Sequence, residues 1–302
     1  MVSLVQAQSN SPDLSDSLLY QKRTRAMLGF QLGSAAAVSS GLYFLWYSKY
    51  DLGGFHWIND NPGWLQMDKV GHTVTNYQVI HKCYSWNRWA GMDKKKALIW
   101  SASVAYGFQS LIEFFDGLSV AWGASAGDIA ANTLGLASFV SQELAWDEQR
   151  ILWKFSFRPN NYSQYGEEVQ TRAEKLYGTT IYESLLKDYN YQTYWLSANI
   201  SSFAPNSEWL PKWLNVAVGY SGEGLLGANW NVWYGENECF QDFETIPRYR
   251  QYYLSLDIDW TRMKSKRKWF KTVAPFLNIL KIPFPAIEYS RIDGLKGKAF
   301  YF

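Results

Sequence analysis

The chain has 302 residues, of which 18% are aromatic and 19% charged, and its formal net charge is +2 at pH 7. This near-neutral charge argues against nucleic acid as a partner, because nucleic-acid-binding domains concentrate basic residues on one face. The charged fraction falls below the roughly 25% typical of soluble globular chains, while aromatic rings favour boundaries between apolar and wet surroundings. Composition therefore favours a cell-envelope protein, and the slightly negative mean hydropathy excludes a conventional polytopic transporter.

The chain opens on a stretch that resembles the end of a signal peptide. Met1 to Gln8 is mostly apolar and closes on Val5-Gln6-Ala7, where small residues flank a cleavage point. The polar run from Ser9 to Ser17 is typical of a flexible mature N-terminus. We therefore assign residues 1–20 to a signal-like remnant and a flexible N-terminus, and expect the protein to be secreted.

The first predicted helix covers the most apolar stretch, Met27 to Tyr47, which at about 20 residues is long enough to span a bilayer. Gly29, Gly33 and Ala37 recur every four residues, and small side chains on one face allow a second helix to approach closely. Gln31 and several serines interrupt this stretch, so a buried helix in a bundle is the alternative.

Three further helices are predicted after a loop from 50 to 63: Asp68 to Tyr84, Lys94 to Phe115, and Ser125 to about Gln149. Asp93 caps the third helix, and Ser125-Ala-Gly-Asp128 has the form of a capping box at the start of the fourth. If all four helices cross a membrane, the basic ends at 22–25 and 94–96 fall on the same side, as the positive-inside rule requires.

A change of composition after Phe157 predicts a boundary between a helical, membrane-compatible bundle, residues 21–157, and an envelope- or membrane-contacting region, residues 158–302. The elements predicted in the second region are an amphipathic helix (Glu167 to Lys187), three extended segments (Gln192 to Ser202, Trp213 to Ser221, Arg250 to Trp260) and a short interfacial helix (Lys268 to Leu280). The fold class is therefore α+β, with a hydrophobic bundle of four to five helices followed by a smaller, aromatic-rich region that contains strands.

The segment from Arg250 to Trp260 alternates with a period of two, which predicts a strand. Its wetter face is expected to carry four residues: Tyr253, Ser255, Asp257 and Asp259. Five basic residues follow shortly afterwards and bracket two aromatic rings: Lys264, Lys266, Arg267, Lys268 and Lys271, around Trp269 and Phe270. This mixture suits an anionic lipid surface, and a solvated turn fits it equally well.

Six polar residues of the predicted bundle form a candidate site: Asp68, His72, Glu113, Asp116, Asp128 and Asn132. Two pairs, Asp68 with His72 and Asp128 with Asn132, have the spacing of four that puts side chains on one helix face. The remaining two carboxylates end the helix between them, so the six groups converge if these helices pack together. An ionisable residue inside an apolar bundle is costly unless paired, and therefore indicates a functional site.

Three interpretations of this site stay open. In a structural network, Asp68 orients His72 and hydrogen bonds tie the helix ends together. In a metal site, His72 and two or three carboxylates would bind a divalent cation such as Mn²⁺ or Zn²⁺. In a catalytic site, His72 would be a general base held by Asp68, with Glu113 or Asp116 as the acid. The sequence contains no nucleophile elbow, phosphate-binding loop or His-Glu-x-x-His motif.

The other histidines and the cysteines carry weaker signals. His81 lies nine residues beyond His72, about 180° around the helix at 100° per residue, so one site is not expected to use both. His56 lies among loop aromatics and is typical of an interface. Cys83 and Cys239 could form one disulfide in an oxidising compartment, but no cysteine spacing resembles a zinc site.

The motifs of the candidate site resemble those of a family of predicted bacterial periplasmic lipoproteins of unknown function and, more distantly, VanZ-like membrane proteins. The resemblance covers residues 27–146 and is carried by Asp68-Lys-Val-Gly-His72, Glu113-Phe-Phe-Asp116 and Asp128-Ile-Ala-Ala-Asn132-Thr-Leu-Gly135. It implies an envelope location and a helical bundle without implying a reaction. Unlike that family, the chain has no lipobox cysteine near Met1, and its C-terminal half resembles extensions in Bacteroidota members.

We therefore expect a non-enzymatic, membrane-associated envelope protein that serves as a subunit or scaffold of a larger outer-membrane or periplasmic assembly. Its expected partners are membrane lipid and other envelope proteins. The alternative function is a hydrolase or transferase that acts on a lipid or lipid-linked envelope substrate at the six-residue site. An inner-membrane protein with four spans is the alternative location.

Overall fold

The computed structural model describes residues 14–45, 47–235 and 239–301, and the signal-like stretch from Met1 to Gln8 lies outside them. Within this part the fold is α+β, as predicted. Four long helices come first, with two short parallel strands between them: α1 (Leu14–Leu45), β1 (Trp57–Ile58), α2 (Met67–Trp89), α3 (Lys94–Leu118), β2 (Ala124–Ser125) and α4 (Ala126–Trp146). Both predicted helix caps are confirmed, since the side chain of Asp93 accepts from the Lys96 amide and Ser125 Oγ accepts from the Gly127 and Asp128 amides.

The stretch from Met27 to Tyr47 was considered both as a membrane span and as a buried helix of the bundle. No helix in the part of the chain that the structure describes is both long enough and apolar enough to cross a bilayer. Instead, α1 packs on the bundle through Gln31, which is buried, donates to Asn87 Oδ1 and accepts from Trp100 Nε1. The small-residue face makes no close helix contact either, because a Cβ added at Gly29 would meet no atom within 4 Å.

The core of the bundle lies between α2, α3 and α4. Tyr77 and Ile80 of α2 pack with Phe139 of α4, and all three side chains are fully buried. At the crossing of α2 and α4 the backbones are so close that a Cβ on Gly135 would come within 2.3 Å of the Thr73 carbonyl oxygen. This close approach brings the polar residues of the two helices within reach of each other.

The elements after the bundle are β3 (Ile151–Phe157), α5 (Glu167–Tyr177), α6 (Ile181–Lys187), β4 (Gln192–Asn199), α7 (Ile200–Phe203), β5 (Leu214–Glu223), β6 (Val232–Tyr234), β7 (Phe240–Asp242), β8 (Tyr249–Ile258), α8 (Lys268–Leu277), β9 (Phe284–Ser290) and β10 (Gly294–Tyr301). The prediction of a single helix from Glu167 to Lys187 is wrong, because the helix ends before Gly178, where φ is +81°. Six strands form one antiparallel sheet in the order β10-β9-β8-β5-β4-β3. Of these strands, β3, β9 and β10 were not anticipated from the sequence.

The sheet has an inverted pattern, with polar side chains on its buried face. On β8 the residues expected to form the wetter face, Tyr253, Ser255 and Asp257, are buried, whereas Leu254 and Leu256 are exposed. That expectation is therefore wrong. The buried face is enclosed because the sheet curls: the ring of Tyr301 on the edge strand β10 stacks on Tyr253 at 4.1 Å between centroids and lies 6.1 Å from that of Trp195 on β4.

The sheet also contacts the segment that leads into α2. There, three consecutive residues other than glycine have positive φ angles, namely 51° at Trp64, 51° at Leu65 and 63° at Gln66. L-residues reach this conformation only at a cost of about 1–2 kcal/mol each. Two side chains of the sheet stabilise it, because Tyr220 Oη donates to the Leu65 carbonyl and Arg250 donates to Gln66 Oε1.

Candidate functional site

Charged and polar side chains from the start of α2, from α3, from α4 and from the loop before α2 meet in one cluster. We call it the polar cluster, and its members are Asp60, Asp68, Lys69, His72, Glu113, Asp128 and Asn132. Five of the six residues predicted from the sequence therefore lie together. Glu113, Asp128 and Asn132 are buried, and the side chains of His72 and Asp68 are 16% and 22% exposed, so the cluster reaches solvent along α2.

Lys69 lies at the centre of three carboxylates. Its Nζ is 2.7 Å from Asp60 Oδ2 and 3.0 Å from Asp68 Oδ2. It also lies 2.8 Å from each oxygen of Asp128 and directs its hydrogen bond to Oδ2. Burial lowers the pKa of Lys69, but the surrounding carboxylates outweigh that effect and raise it, so the ammonium stays charged.

His72 lies on the other side of the same carboxylates. Its Nε2 is 3.7 Å from Asp68 Oδ1 and 3.7 Å from Asp128 Oδ1, both beyond hydrogen-bond distance. Burial lowers the pKa of His72, but the carboxylates of Asp68, Asp128 and Glu113 outweigh this and raise it. The ring therefore presents Nε2 to two carboxylates that it approaches but does not bond.

The other ring nitrogen of His72 contacts an amide. Nδ1 lies 3.3 Å from Asn132 Oδ1, and the same oxygen accepts a 2.8 Å hydrogen bond from Gln109 Nε2. Because Asn132 Oδ1 can only accept, Nδ1 must be the donor. The backbone carbonyl of Asn132 is held in turn by Asn76 Nδ2. Residues of α2, α3 and α4 thus fix both the orientation and the tautomer of the imidazole.

Glu113 comes from α3 and connects the cluster to the start of α4. Its Oε2 accepts from the Ser125 amide at 3.1 Å, which replaces the Asp128 contact expected of a capping box. Its Oε1 lies 3.8 Å from His72 Nδ1 and has no hydrogen-bond partner. Burial raises the pKa of Glu113 to about 7 although the Ser125 amide and His72 oppose that rise.

The carboxylates of the cluster differ in acidity. Burial raises the pKa of Asp128 to about 7, with the charge of Asp68 as a second cause. Burial also raises the pKa of Asp68, but His72 and Lys69 outweigh it, and the net direction is downward. Near neutral pH the cluster therefore combines one firmly ionised carboxylate with two that exchange protons.

Asp116 is the predicted residue that the described contacts place outside the polar cluster. Its Oδ1 accepts from Tyr47 Oη at 2.8 Å, in the short 3-10 helix Tyr47–Lys49, and burial raises its pKa to about 6. The spacing of three from Glu113 put both carboxylates near the end of α3, but a tyrosine 69 positions earlier holds Asp116 in a separate contact. Asp116 thus serves as a hydrogen-bond acceptor for Tyr47 rather than as a member of the polar cluster.

Sequence reasoning missed four contributors to the site. Lys69 stands inside the Asp-Lys-x-x-His motif, and that position could have identified it. Asp60, Gln109 and Tyr189, which donates to Asp68 Oδ1 at 2.8 Å, have no comparable signal, because each reaches the site from a distant loop, helix or strand connection.

The remaining histidines and both cysteines lie elsewhere. His81 packs between the rings of Tyr77 and Phe139, as expected of a residue on the far side of α2. His56 contacts the Gly54 carbonyl in the loop before β1. Cys83 is buried in α2 and Cys239 is exposed, and both are free thiols, so the disulfide considered from the sequence is absent.

This arrangement can hold a proton or a cation. Asp68, His72 and Asp128 each offer one ligand atom, and the three atoms lie within 4.8 Å of one another. One imidazole and two carboxylates suit a zinc or manganese ion. His72, fixed by its Nδ1 contact, can equally accept and release a proton through Nε2.

Comparison with known proteins concerns the same part of the chain. No curated protein and no solved structure matches this sequence, and the distant likeness to VanZ-like proteins stays an expectation. A family of known sequences does match part of the chain, and its description indicates association with the cell envelope. Residues 55–142, which span the polar cluster from Asp60 to Asn132, match the family described as predicted periplasmic lipoprotein (DUF2279), whose function is unknown.

Proposed function

We propose that this chain is a non-enzymatic envelope protein that attaches to an anionic lipid surface through its C-terminal region and acts there as a subunit or scaffold of a larger outer-membrane or periplasmic assembly. The observation that supports this most directly is an exposed apolar surface on the sheet, together with a basic helix whose apolar side is also exposed.

The uncovered part of the sheet is apolar across four neighbouring strands. We call it the apolar sheet face, and its exposed members are Val218, Tyr252, Leu254, Leu256, Ile287, Tyr289 and Leu295. At the other end of the sheet the same side is covered, since Tyr194 packs against Met67 and Val74 of α2. Contiguous apolar surface of this kind indicates an interaction surface.

Helix α8 supports a lipid as the occupant. Trp269, Val273 and Phe276 recur at the spacing of one helix face, and all three are exposed. Five exposed basic residues surround them, with no acidic residue between positions 261 and 283: Lys264, Lys266, Arg267, Lys268 and Lys271. An apolar helix face bordered by lysine and arginine is the pattern of an interfacial helix on anionic lipid.

Helix α8 is attached firmly to the sheet. The Phe155 amide of β3 donates to the Ile279 carbonyl, and the Phe155 carbonyl accepts from Lys281. On the helix itself, Lys82 of α2 donates to the Pro275 carbonyl. Binding of α8 to a surface would therefore orient the helical bundle and the sheet together, as a scaffold requires.

Vesicle co-sedimentation tests the lipid part of the proposal. The full chain should sediment with vesicles that contain anionic phospholipid and much less with purely zwitterionic vesicles, and added salt should weaken binding. The variants Trp269→Ser and Lys266→Glu should each reduce binding by at least about threefold, at roughly 1 kcal/mol per basic residue near the surface. Trp209→Ser and Lys95→Glu change the same residue types at exposed positions elsewhere and should bind as the unaltered protein does.

Two outcomes contradict the proposal. Equal binding of all four variants would show that lipid association does not depend on α8. A chain that stays monomeric without detergent, binds no vesicle and recovers no envelope protein would overturn both the membrane and the assembly parts.

One observation favours a second candidate function, a hydrolase or transferase for a lipid or lipid-linked substrate. Carboxylates of unlike acidity lie beside one histidine: the pKa of Glu113 is raised by burial to about 7, and that of Asp68 is lowered by its positive neighbours against the effect of burial. Such separation assigns acid and base roles in known active sites. His72 would be the base held by Asp68, and Glu113 the acid.

Substitution at the cluster distinguishes the two functions. If the second is correct, His72→Ala and Asp128→Asn abolish turnover of chromogenic lipid-ester or lipid-phosphate substrates and leave the thermal melt nearly unchanged. Unfolding of both variants, or a complete lack of turnover by the unaltered protein, would leave the polar cluster without a catalytic role.

A further inference from the structure

We infer that Asp68, His72 and Asp128 form a binding site for one divalent transition-metal cation of the zinc or manganese class. This inference goes beyond attachment to a membrane and is independent of it. It rests on three features of the polar cluster: distances that fit a shared ligand, a fixed histidine tautomer and an excess of carboxylate charge.

The distances around His72 Nε2 are too long for hydrogen bonds and suit a bridging cation. Both Asp68 Oδ1 and Asp128 Oδ1 lie 3.7 Å from this nitrogen. Ligand atoms that surround zinc at about 2.1 Å are separated from one another by roughly 3.0–3.5 Å. Each oxygen is thus within a few tenths of an ångström of that spacing from Nε2, and the three ligand atoms lie within 4.8 Å of one another.

The tautomer of His72 leaves Nε2 available. Nδ1 donates to Asn132 Oδ1, which is oriented by Gln109 Nε2. In the neutral ring, Nε2 then directs its lone pair at two carboxylate oxygens, an unfavourable arrangement unless a proton or a metal lies between them. Metal-binding histidines commonly donate their second ring N–H to an oxygen acceptor in this way.

When its four carboxylates are all ionised, the cluster carries more negative than positive charge, which protons or a bound cation would balance. Asp60, Asp68, Glu113 and Asp128 surround one lysine ammonium and one histidine. Glu113 Oε1 is buried and accepts no hydrogen bond, and Asp128 Oδ1, also buried, has the Lys69 ammonium 2.8 Å away but no hydrogen bond. Buried, unbonded carboxylate oxygens are costly, and a bound cation would relieve that cost.

Lys69 does not occupy the inferred site. It approaches Asp68 through Oδ2, whereas His72 faces Oδ1 of the same carboxylate. Its Nζ lies 2.8 Å from both oxygens of Asp128, so a cation bound at Asp128 Oδ1 would share that oxygen with the ammonium. Asp68 Oδ1 accepts one hydrogen bond, from Tyr189 Oη, and keeps a second lone pair for a cation.

Metal titration of the full chain tests this inference. After treatment with a chelator, the protein should bind one equivalent of Zn²⁺ or Mn²⁺ in competition with a chromophoric chelator and bind Ca²⁺ far more weakly, because the site includes an imidazole. Asp128→Asn and His72→Gln should each weaken zinc binding by at least about 100-fold, and Gln109→Leu by about 10-fold through loss of the histidine's orientation.

Matched variants separate a built site from surface binding. His56→Gln and Asp116→Asn change the same residue types outside the site and should keep full affinity. Circular dichroism verifies folding, and if His72→Gln does not fold, the isosteric Asp68→Asn variant provides the same test. Absence of stoichiometric binding overturns the inference, as does equal affinity in the folded Asp128→Asn and His72→Gln variants. Electron paramagnetic resonance of bound Mn²⁺ should change in Asp128→Asn and stay unchanged in Asp116→Asn.

Discussion

Two regions of this molecule bury charge, and they do so differently. Inside the curled sheet, Lys154 and Asp257 are fully buried, lie 2.7 Å apart and balance one charge with one opposite charge. Lys154 also donates to the Ile258 carbonyl, and Asp257 Oδ2 accepts from Ser197 Oγ. In the polar cluster, by contrast, four carboxylates share one lysine and one histidine.

The comparison shows how a structural ion pair differs from a candidate binding site. One oxygen of Asp257 also lacks a hydrogen bond, so an unbonded oxygen alone does not separate the two regions. The two regions differ in charge balance and in solvent access. The ion pair in the sheet is fully buried, whereas Asp68 and His72 of the polar cluster are partly exposed to solvent. The two regions should therefore respond oppositely when charge is removed.

The largest effect is expected inside the sheet. Lys154→Met leaves Asp257 as an unpaired buried carboxylate and should lower the free energy of unfolding by about 3–5 kcal/mol. The double variant Lys154→Met with Asp257→Leu should recover most of that loss. Urea denaturation measures both, and equal stability of the single and double variants would show that the pair is not coupled.

Removing a negative charge from the polar cluster should instead raise the free energy of unfolding. The folded-state pKa of Glu113, raised by burial to about 7, lies above its unfolded value of 4.5. The stability that depends on protonated Glu113 is thus fully present below pH 4.5 and is lost as the pH rises through 7. In the metal-free protein, Glu113→Gln should therefore gain on the order of 3 kcal/mol at pH 8 relative to pH 4.

The control for this measurement is Glu208→Gln, which changes an exposed glutamate. Its stability should follow that of the unaltered protein at both pH values in chemical denaturation. A Glu113→Gln variant that is less stable than the unaltered protein at pH 8 would contradict an excess of negative charge in the cluster.

His81 provides a third comparison, because it shares α2 with His72 and lacks the carboxylates. Burial lowers its pKa to about 3 from 6.5. The stability that depends on neutral His81 is present above pH 6.5 and is lost as the pH falls toward 3. Between pH 6.5 and 4.5 this loss should be roughly 2–3 kcal/mol, and His81→Gln should remove it, whereas His56→Gln should not.

The smallest effect concerns how the polar cluster is assembled. Gly135→Ala would place a methyl group against the Thr73 carbonyl, force α4 away from α2 and cost about 1–3 kcal/mol. Gly107→Ala on the exposed side of α3 has open space around it and should be neutral or stabilising by up to about 1 kcal/mol. Thermal melts that rank the two variants in the reverse order would show that the helices separate without cost.

Local sequence rules predicted much of the bundle. Asp93 and Ser125 cap the helices they were expected to cap, because a cap depends on residues within three positions. The spacing of four in Asp68 and His72, and in Asp128 and Asn132, placed each pair on one helix face. The convergence of these faces followed once the helices packed together.

The sequence could not predict features that depend on distant partners. A period of two predicts a strand on β8 but not which face is buried, and Asp257 is inside because Lys154 on β3 neutralises it. The curl of the sheet depends on Tyr301 reaching Tyr253. In the site, Asp116 was assigned to the cluster by spacing, whereas Tyr47 holds it elsewhere.

The left-handed turn before α2 has a consequence for the order in which the protein can be completed during synthesis. Gln66 and Arg250 are 184 positions apart, and Asp68 and Tyr189 are 121 positions apart, yet each pair is bonded. Since a chain emerges from the ribosome N-terminus first, the residues of the polar cluster appear long before the tyrosine and arginine that hold them. A nascent chain stopped before the sheet would therefore carry the motif of the family without a finished site.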